Sequence, residues 1–447
     1  MSAPGPRAAG PAPPLAPGLP LVGSLWALTR DAQAFFFAQY LERGPIFRVR
    51  ALGREFKVLA GPEINVRMAT EPELFSAWET WEPIVRDFGG RQTLTMLDGA
   101  EHARLRGLMR RSFSRSALID HLPRVVELVQ ASLRCQPLDV AIPVVPFMQR
   151  LTADVLGLVS NGRLPGERFE DIVFWWNTVI RVYLSHQRSE RILRRPEYQR
   201  ARDRVKEFAR TIFAERQTDR PAGDEDNFLD NLADATAQDP QFLGHDDALM
   251  LTLAAYFAGL DTVANVSSFM LYELLRRPEL LDRARGEADR AFADGLSAEA
   301  LRNLPVLHAA AMETLRLYPI AGVLPRTATR DFTFNGYPLR PGEGFLVATC
   351  ATHFAPQFFP RPREFDIARF AEPRNEHKAR GVYAPFGAGP HTCLGAGLAE
   401  VQILLVMAAM LHGVELSLDP PAYQLKTAYT PSLSPRGLSV RFTARRG

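Results

Sequence analysis

The stretch of sequence that decides the fold reads Phe386-Gly387-Ala388-Gly389-Pro390-His391-Thr392-Cys393-Leu394-Gly395. It is a glycine-rich loop that presents Cys393 at the start of an apolar helix, which the spacing predicts to run as far as Met410. A helix N-terminus and free backbone N–H groups lower the pKa of a thiol, so this position favours a thiolate. Small residues after the cysteine keep the helix thin enough for a flat cofactor to lie against it. On these residues alone, a structural cysteine buried in a tight turn explains the loop equally well.

This decapeptide resembles the cysteine-ligand loop of the cytochrome P450 family, whose Phe, two Gly, His, Cys and final Gly it matches. The resemblance implies that Cys393 is the proximal ligand of the iron of haem b, where electron donation from the thiolate favours O–O bond cleavage. It also implies that His391 hydrogen-bonds a haem propionate, and that Phe386, Gly387 and Gly395 belong to the cofactor-binding loop. The other markers of the family follow in order along nearly the whole chain.

A second motif, Glu313-Thr314-Leu315-Arg316, places an acid and a base on one face of a predicted helix. By itself such a pair is ordinarily a solvated surface pair that contributes about 0.3 kcal/mol. In the family the pair is buried and bound to a downstream arginine, and the resemblance assigns that position to Arg369. We expect Glu313, Arg316 and Arg369 to support the cysteine loop rather than to take part in catalysis.

A third motif, Ala258-Gly259-Leu260-Asp261-Thr262, falls within a long helix predicted from the N-cap Asp246 to Arg277. Glycine costs about 1 kcal/mol relative to alanine in a helix interior, so a local kink beneath an exposed face is one interpretation. The resemblance implies that Ala258 contacts the haem and that Gly259 opens the helix to admit O2. Thr262 would then hold the oxygen being activated and its waters, while Asp261 relays protons. This acid–alcohol pair favours ordinary O2-dependent monooxygenation.

Haem carboxylates need cationic partners. His102 and Arg106 are four residues apart on a predicted helix and share one face. They resemble the His-x-x-x-Arg propionate clamp of the family, and Arg326 matches its third cation. Taken singly, each of these residues would more simply be a surface cation. One departure is that the chain reads His353-Phe354-Ala355-Pro356 where many soluble bacterial members read Asn-Arg-Asp-Pro.

The segments that line the substrate pocket in this family are apolar and aromatic here. The residues that we expect to line it are Trp81, Phe88, Trp176, Val179, Ala255, Val323 and Leu433. Taken singly, each more simply belongs to the core, but together they favour a lipophilic substrate such as a terpenoid, steroid, fatty acid or polyketide. Arg86, Arg91 or Arg181 could hold a substrate carboxylate, although a solvated arginine is the simpler interpretation of each.

The bulk composition is that of an ordinary globular protein. The chain has 447 residues, of which 46% are hydrophobic and 23% charged, and its net charge of +3 does not suggest a nucleic-acid binder. The cysteines Cys135, Cys350 and Cys393 make neither a disulfide framework nor a zinc signature, and we expect the first two to be buried. We expect a disordered Pro/Ala-rich tail over residues 1–16 and a single large domain over residues 17–447, mainly α with small β-sheets. No membrane anchor or signal peptide is expected, which indicates a cytoplasmic protein.

Electrons would come from a separate ferredoxin or flavodoxin with its NAD(P)H reductase, because no flavin or iron–sulfur segment is recognisable. A basic patch that could receive such a partner comprises Arg104, Arg110, Arg111, Lys378 and Arg380. Two alternatives stay open at this point. One is a non-catalytic haem protein that acts as a sensor or docking module, and the other is oxidative coupling rather than hydroxylation or epoxidation.

Overall fold

The structure is a computed structural model that describes residues 12–51, 53–218, 227–429 and 432–446. The α-helices are α1 (Leu25–Arg43), α2 (Pro62–Thr70), α3 (Trp78–Phe88), α4 (Gly99–Met109), α5 (Arg115–Asp120), α6 (Leu122–Arg134), α7 (Val144–Asn161), α8 (Phe169–Val179), α9 (Pro196–Thr218), α10 (Phe228–Gln238), α11 (His245–Phe257), α12 (Val263–Leu275), α13 (Pro278–Phe292), α14 (Ala298–Arg302), α15 (Pro305–Leu317) and α16 (Ala396–Gly413). The strands are β1 (Ile46–Ala51), β2 (Arg54–Ala60), β3 (Phe75–Ser76), β4 (Ala141–Pro143), β5 (Leu324–Ala328), β6 (Phe332–Phe334), β7 (Tyr337–Leu339), β8 (Gly344–Ala348), β9 (Val414–Leu418), β10 (Thr427–Tyr429), β11 (Leu433–Pro435) and β12 (Ser439–Arg445). The predicted fold class, mainly α with small β-sheets, is confirmed.

The helix α16 lies in the middle of the helical core. It is apolar on every side, and it packs against α5, α6, α12, α13 and α15. Within the described part of the chain, Gly389–Gly413 is long and apolar enough to cross a membrane, but 67% of its apolar window is buried inside the fold. The helix begins at Ala396, three residues later than predicted, so Cys393 lies in the turn that leads into it.

The segments Ile46 to Val49 and Phe56 to Leu59, separated by Gly53-Arg54, are predicted from the sequence to form a β-hairpin. The structure confirms this, with β1 and β2 pairing antiparallel from Ile46 opposite Leu59 to Ala51 opposite Arg54. It opens a five-stranded sheet of order β1-β2-β8-β5-β3, in which β2 and β8 are parallel and the other pairs are antiparallel. The apolar run Phe345-Leu346-Val347-Ala348, which follows the turn Pro341-Gly342, predicts a further strand, and it forms β8. This sheet supports β5, and with it Arg326.

The prediction of a single long helix from Asp246 to Arg277 is wrong. The structure has two helices, α11 and α12, separated by a turn at residues 258–262. At this break the Ala264 N–H donates to the Gly259 carbonyl at 3.2 Å, five residues back instead of four. The N-cap also differs from the expected Asp246, because it is Gly244, whose N–H donates to the Asp247 carboxylate at 3.0 Å.

Packing between helices explains the glycine at this break. A Cβ atom on Gly259 would lie 2.6 Å from both Thr152 Cγ2 and Leu156 Cδ1 on α7. The absence of a side chain therefore lets α7 approach the break closely. In the described structure, the contact that requires glycine at this position is with α7.

Two further expectations change at the level of the fold. Residues 1–11 of the expected tail lie outside the described residues, but Pro14 and Ala16 exchange backbone hydrogen bonds with Arg48 on β1, each at 2.8 Å. The ordered chain therefore begins before residue 17. Cys350 is buried as expected, whereas Cys135 is exposed, because it caps the end of α6 at the surface.

Candidate functional site

The cysteine loop is closed by hydrogen bonds within its own backbone. The Cys393 N–H donates to the Phe386 carbonyl at 2.9 Å, and the Thr392 N–H donates to the Gly389 carbonyl at 3.0 Å. Gly389 has a φ of +76°, and a Cβ atom there would lie 2.2 Å from the Met68 carbonyl oxygen at the end of α2. The loop can take this path only with glycine at position 389, and the contact locks it against α2.

The thiol of Cys393 lies deep in the protein, yet its side chain is accessible, so it lines an internal cleft. Burial raises the pKa of this thiol, and the opposing effects of the Gly395 N–H and the Arg106 charge are smaller. In this structure the desolvation of the thiol is larger than the stabilising effect of the helix terminus on a thiolate. A Cβ on Gly395 would meet no described atom within 4 Å, whereas one on Gly397 would lie 3.5 Å from Arg115 on α5.

The residues predicted to support the loop lie together and are fully buried. Glu313, Arg316 and Arg369 have no exposed surface. Arg316 Nε donates to Glu313 Oε2 at 2.7 Å, and Arg369 Nε donates to Glu313 Oε1 at 3.1 Å. Asp366 adds its backbone N–H to the same carboxylate at 2.9 Å. Each charge has a partner, as a buried ion network requires.

His353 connects this network to the cysteine loop, a role that sequence reasoning missed. It is fully buried, and its Nε2 accepts the Ala384 N–H at 3.1 Å. Its proton must then be on Nδ1, which faces the Arg316 carbonyl at 3.2 Å. Burial, with the charge of Arg316, lowers the pKa of His353 to about 3. The only sequence signal was the departure from the family pattern at this segment.

Two histidines and one acid meet on the side of the cleft formed by α4. His102 is 3% exposed, and its Nε2 has no hydrogen-bond partner among the described residues. Burial lowers its pKa to about 4, and the charges of His391 and Arg106 add to this effect. The His391 ring lies 4.4 Å from that of His102, and its Nε2 is 2.9 Å from Asp98 Oδ1. Asp98 was not predicted, although it directly precedes α4.

The predicted arginines are also held near the cleft. Arg326 is 7% exposed, and burial lowers its pKa to about 10, while the charge of Asp98 opposes the shift. Burial lowers the pKa of Arg106 too, with Cys393 raising it and Arg110 lowering it further. Arg106 therefore lies within electrostatic range of the thiol.

These observations fit a haem. The cleft contains an accessible thiol that needs a cation for ionisation, which an iron supplies. It also contains a buried imidazole nitrogen without a partner and a buried guanidinium, both of which propionate groups would satisfy. In this arrangement Cys393 would hold the iron, while His102, Arg106, Arg326 and His391 would hold the propionates.

Asp261 and Thr262 lie in the break between α11 and α12. Gln149 Nε2 on α7 donates to Asp261 Oδ1 at 3.3 Å. Burial raises the pKa of Asp261 to about 6, and the Gln149 hydrogen bond and the charge of Arg181 limit the rise. Thr262 Oγ1 donates to the Ala258 carbonyl at 2.8 Å, and both of these residues are exposed although the helices around them are buried. No local sequence pattern marked Gln149.

The structure divides the predicted pocket residues. Phe88, Val179 and Ala255 are at most 1% exposed and lie in the core. Leu433 is 8% exposed, and the neighbouring residues 430–431 fall outside the described residues.

The partly exposed members of the predicted set are Trp81, Trp176 and Val323. Trp176 stacks on Phe257 with ring centroids 4.0 Å apart, directly before the helix break. Phe257 was not predicted, and the pair forms an aromatic wall next to Ala258.

The candidate carboxylate-binding arginines have partners of their own. Arg86 pairs with Glu82, and Arg91 pairs with the Asp247 carboxylate at 3.2 Å. Arg181 lies within electrostatic range of Asp261. These pairings leave the aromatic and aliphatic residues as the groups best suited to contact a substrate.

All five cations of the predicted basic patch are exposed. Arg104, however, pairs with Asp239 at 2.8 Å and stacks over Phe242 at 3.9 Å from the ring centroid. The positive charge of Arg110 lowers the pKa of Arg106, so Arg110 lies near the cysteine side of the cleft.

Comparison with known proteins finds similarity along nearly the whole chain. A family model described as Cytochrome P450 matches residues 13–436. Putative cytochrome P450 136 of Mycobacterium tuberculosis is 27% identical over 421 residues, which are 92% of this chain and 84% of that protein. A sterol 14alpha-demethylase of Mycolicibacterium vanbaalenii is 36% identical over 205 residues, 44% of this chain and 45% of that protein.

Abscisic acid 8'-hydroxylase 2 of Oryza sativa subsp. indica is 27% identical over 439 residues, 95% of this chain and 85% of that protein. Among solved structures, the haem domain of a cytochrome P450DA mutant matches with a TM-score of 0.83 and 22% identity over 98% of each chain. This last similarity shows the fold.

We predict that His353 makes stability depend on pH. Its pKa is about 3 in the folded protein against an ordinary value of 6.5, so below pH 6.5 the unfolded chain binds the proton more readily. Stability is therefore lost as the pH falls from 6.5 towards 3, by about 2 kcal/mol between pH 6.5 and 5. Urea denaturation of wild type and His353→Gln across this range measures the effect. Only the wild type should show this loss of stability towards low pH. Parallel curves of unfolding free energy against pH for the two proteins would contradict the assignment.

Proposed function

The chain belongs to the cytochrome P450 family, and from that premise we propose that it hydroxylates or epoxidises a lipophilic small molecule with electrons from a separate ferredoxin or flavodoxin and its NAD(P)H reductase. Family membership makes the chain a haem-thiolate monooxygenase that uses O2, a redox partner and a small-molecule substrate. The substrate class, the identity of the electron donor and a cytoplasmic location belong to the proposal.

The observation that carries the proposal is the acid–alcohol pair at the helix break. The bound haem supplies the chemistry of O2 activation at an iron held by the Cys393 thiolate. A carboxyl with a pKa of about 6 can take up and release a proton near neutral pH, which suits Asp261 for delivering protons from its Oδ atoms. The Thr262 hydroxyl donates a hydrogen bond to the Ala258 carbonyl, so its oxygen can still accept a hydrogen bond from a water.

The composition of the cleft supports a lipophilic substrate. Its partly exposed side chains next to the helix break include Trp176 and Phe257, whose stacked rings offer a flat apolar surface. Two relatives are named for action on a sterol and on abscisic acid. Both names support a search among terpenoids and steroids, followed by fatty acids and polyketides.

The cations on the cysteine side support an acidic electron donor. Arg110, Arg111, Lys378 and Arg380 are exposed near the cysteine loop or the α4 terminus. Arg104 belongs to the same predicted patch, and its pairing with Asp239 reduces the charge that it offers to a partner. Charge complementarity of this kind mainly increases the rate of association.

The proposed function is tested by titrating the purified haem protein with terpenoids, steroids, fatty acids and polyketides while recording the ferric absorption spectrum. A substrate that displaces iron-bound water should shift the spectrum from low to high spin. Turnover of the same compound with labelled O2 should then give a product with one labelled oxygen atom. A product without label would indicate oxidative coupling or rearrangement, and would contradict oxygen insertion.

We predict that Thr262→Ala separates O2 consumption from product formation. Loss of the hydroxyl removes a partner for the proton-delivering waters, so product formation should fall about tenfold or more. NAD(P)H consumption should fall less, with the balance appearing as hydrogen peroxide. Thr252→Ala is the matched control. The Thr252 hydroxyl also donates to the carbonyl four residues earlier, that of Ala248, but Thr252 is fully buried. If both variants keep wild-type coupling, Thr262 has no part in proton delivery.

We predict that reversing Arg110 and Arg111 to glutamate lowers the rate of electron transfer from an acidic ferredoxin by about fivefold or more at low salt. The salt dependence of the rate should also flatten, because fewer favourable charges remain to be screened. Reversal of Arg188 and Arg191, which are exposed in the loop before α9, is the control and should leave the rate unchanged. Equal rates for both double variants would argue against docking at this patch.

A further inference from the structure

A buried glutamine on α1 binds the backbone of the loop between α15 and β5. Gln33 is 3% exposed. Its Nε2 donates to the Pro319 carbonyl at 3.0 Å and to the Ile320 carbonyl at 3.3 Å. Its Oε1 accepts the Gly322 N–H at 3.0 Å. One side chain thus satisfies three backbone groups almost three hundred residues away in the sequence.

The same loop is tightly constrained at Gly322. A Cβ atom there would lie 2.3 Å from Gln33 Oε1 and 3.0 Å from Phe37 Cζ. The Gly322 carbonyl in turn accepts the Cys350 N–H at 3.3 Å and the Thr349 hydroxyl at 3.4 Å. The loop is therefore fixed between α1 on one side and the end of β8 on the other.

The loop leads directly into the haem site. It continues into β5, where Leu324 Cδ1 lies 3.5 Å from the Cβ position of Gly387 in the cysteine loop. Two residues later comes Arg326, the buried cation of the cleft. Ala321 is exposed, and Val323 is partly exposed while it also packs against the apolar cluster that α1 forms with the five-stranded sheet.

The same part of α1 is anchored independently. Asp31 interrupts the helix with φ −162° and ψ 93°, and its carboxylate accepts the Ala34 N–H at 2.9 Å. This hydrogen bond caps the second segment of α1 and places Gln33 in its first turn. The charge of Asp31 also acts on Tyr429, on β10. The start of this segment therefore lies near β10 as well as the loop after α15.

We propose that Gln33 is a positioning residue that sets the shape of the haem cleft by fixing the loop of residues 319–323. Its hydrogen bonds hold the loop backbone, and the loop presents Val323 and Ala321. Loss of these bonds would leave two buried carbonyls and one buried N–H unpaired, which drives the loop to move or to admit water. The inference rests on the haem site and not on the choice of substrate or electron donor.

The test uses the haem-loaded protein and two iron-binding probes, imidazole and 4-phenylimidazole. Both coordinate the iron through a nitrogen, but only the phenyl derivative also fills the cleft, so the ratio of their dissociation constants reports cleft shape. Gln33→Leu should raise the Kd of 4-phenylimidazole about fivefold or more relative to that of imidazole, because the loop backbone is left unpaired. The amide of Gly322 should also exchange hydrogen faster.

The matched control is Gln39→Leu. Gln39 is also a buried glutamine of α1, at 4% exposed, but its amide bonds with Glu42 and Arg43 on the same helix. This variant should keep the wild-type ratio of dissociation constants. A thiolate-type carbon monoxide spectrum in each variant shows that the cysteine ligand is intact.

A second substitution guards against a Gln33→Leu variant that fails to load haem. Gln33→Glu keeps an acceptor for the Gly322 N–H but opposes the carbonyls of Pro319 and Ile320, so its ratio should fall between those of wild type and Gln33→Leu. If Gln33→Leu and Gln39→Leu change the ratio equally, or if neither Gln33 variant changes it, the proposal is overturned.

Discussion

Burial of a thiol disfavours its thiolate form, and a nearby positive charge offsets that cost, which is the balance at Cys393 in the cleft. Burial raises the pKa of Cys393 more than the Gly395 N–H and Arg106 lower it. The loop therefore fixes where the sulfur lies and leaves ionisation to a bound metal. Arg326 presents the opposite need, because it is a buried cation that requires an anion. Iron porphyrin meets both needs, with iron at the thiol and propionates at the cations.

A buried polar network supports the segment that leads into the cysteine loop. The Glu313 carboxylate accepts hydrogen bonds from Arg316, Arg369 and a backbone amide, and none of the three side chains is exposed. Removal of one partner from such a network costs about 3–5 kcal/mol, because it leaves a buried charge unpaired. His353 continues the network from Arg316 to the backbone that enters the cysteine loop. Hydrogen bonds are directional, so this support specifies a single loop geometry.

Features encoded by local spacing could be predicted from the sequence, and features made by distant contacts could not. The cysteine loop and the β1–β2 hairpin are each encoded by consecutive residues. The glycine at the helix break allows α7, more than one hundred residues earlier, to approach closely. The apolar run alone does not reveal this contact and suggested one continuous helix. Gln149 has no recognisable pattern, because its partner Asp261 is distant in sequence. Val179 was expected to line the pocket but lies in the core. Periodicity identifies an inward-facing side of a helix, but it does not distinguish a core from a cavity wall.

The hydrogen bonds of Gln33 fix where this wall of the cleft lies, but they do not determine which side chains the wall presents. All three of its hydrogen bonds go to backbone atoms of residues 319–322. A side chain in the loop can therefore change without losing this anchor, except at Gly322, where a Cβ would clash with Gln33 itself. The position of this wall then depends on α1, and its chemical character depends on the side chains of loop residues such as Val323. The cysteine loop has a separate support, through Glu313 on α15 and through His353, so a shift of the wall at Gln33 would leave that support in place.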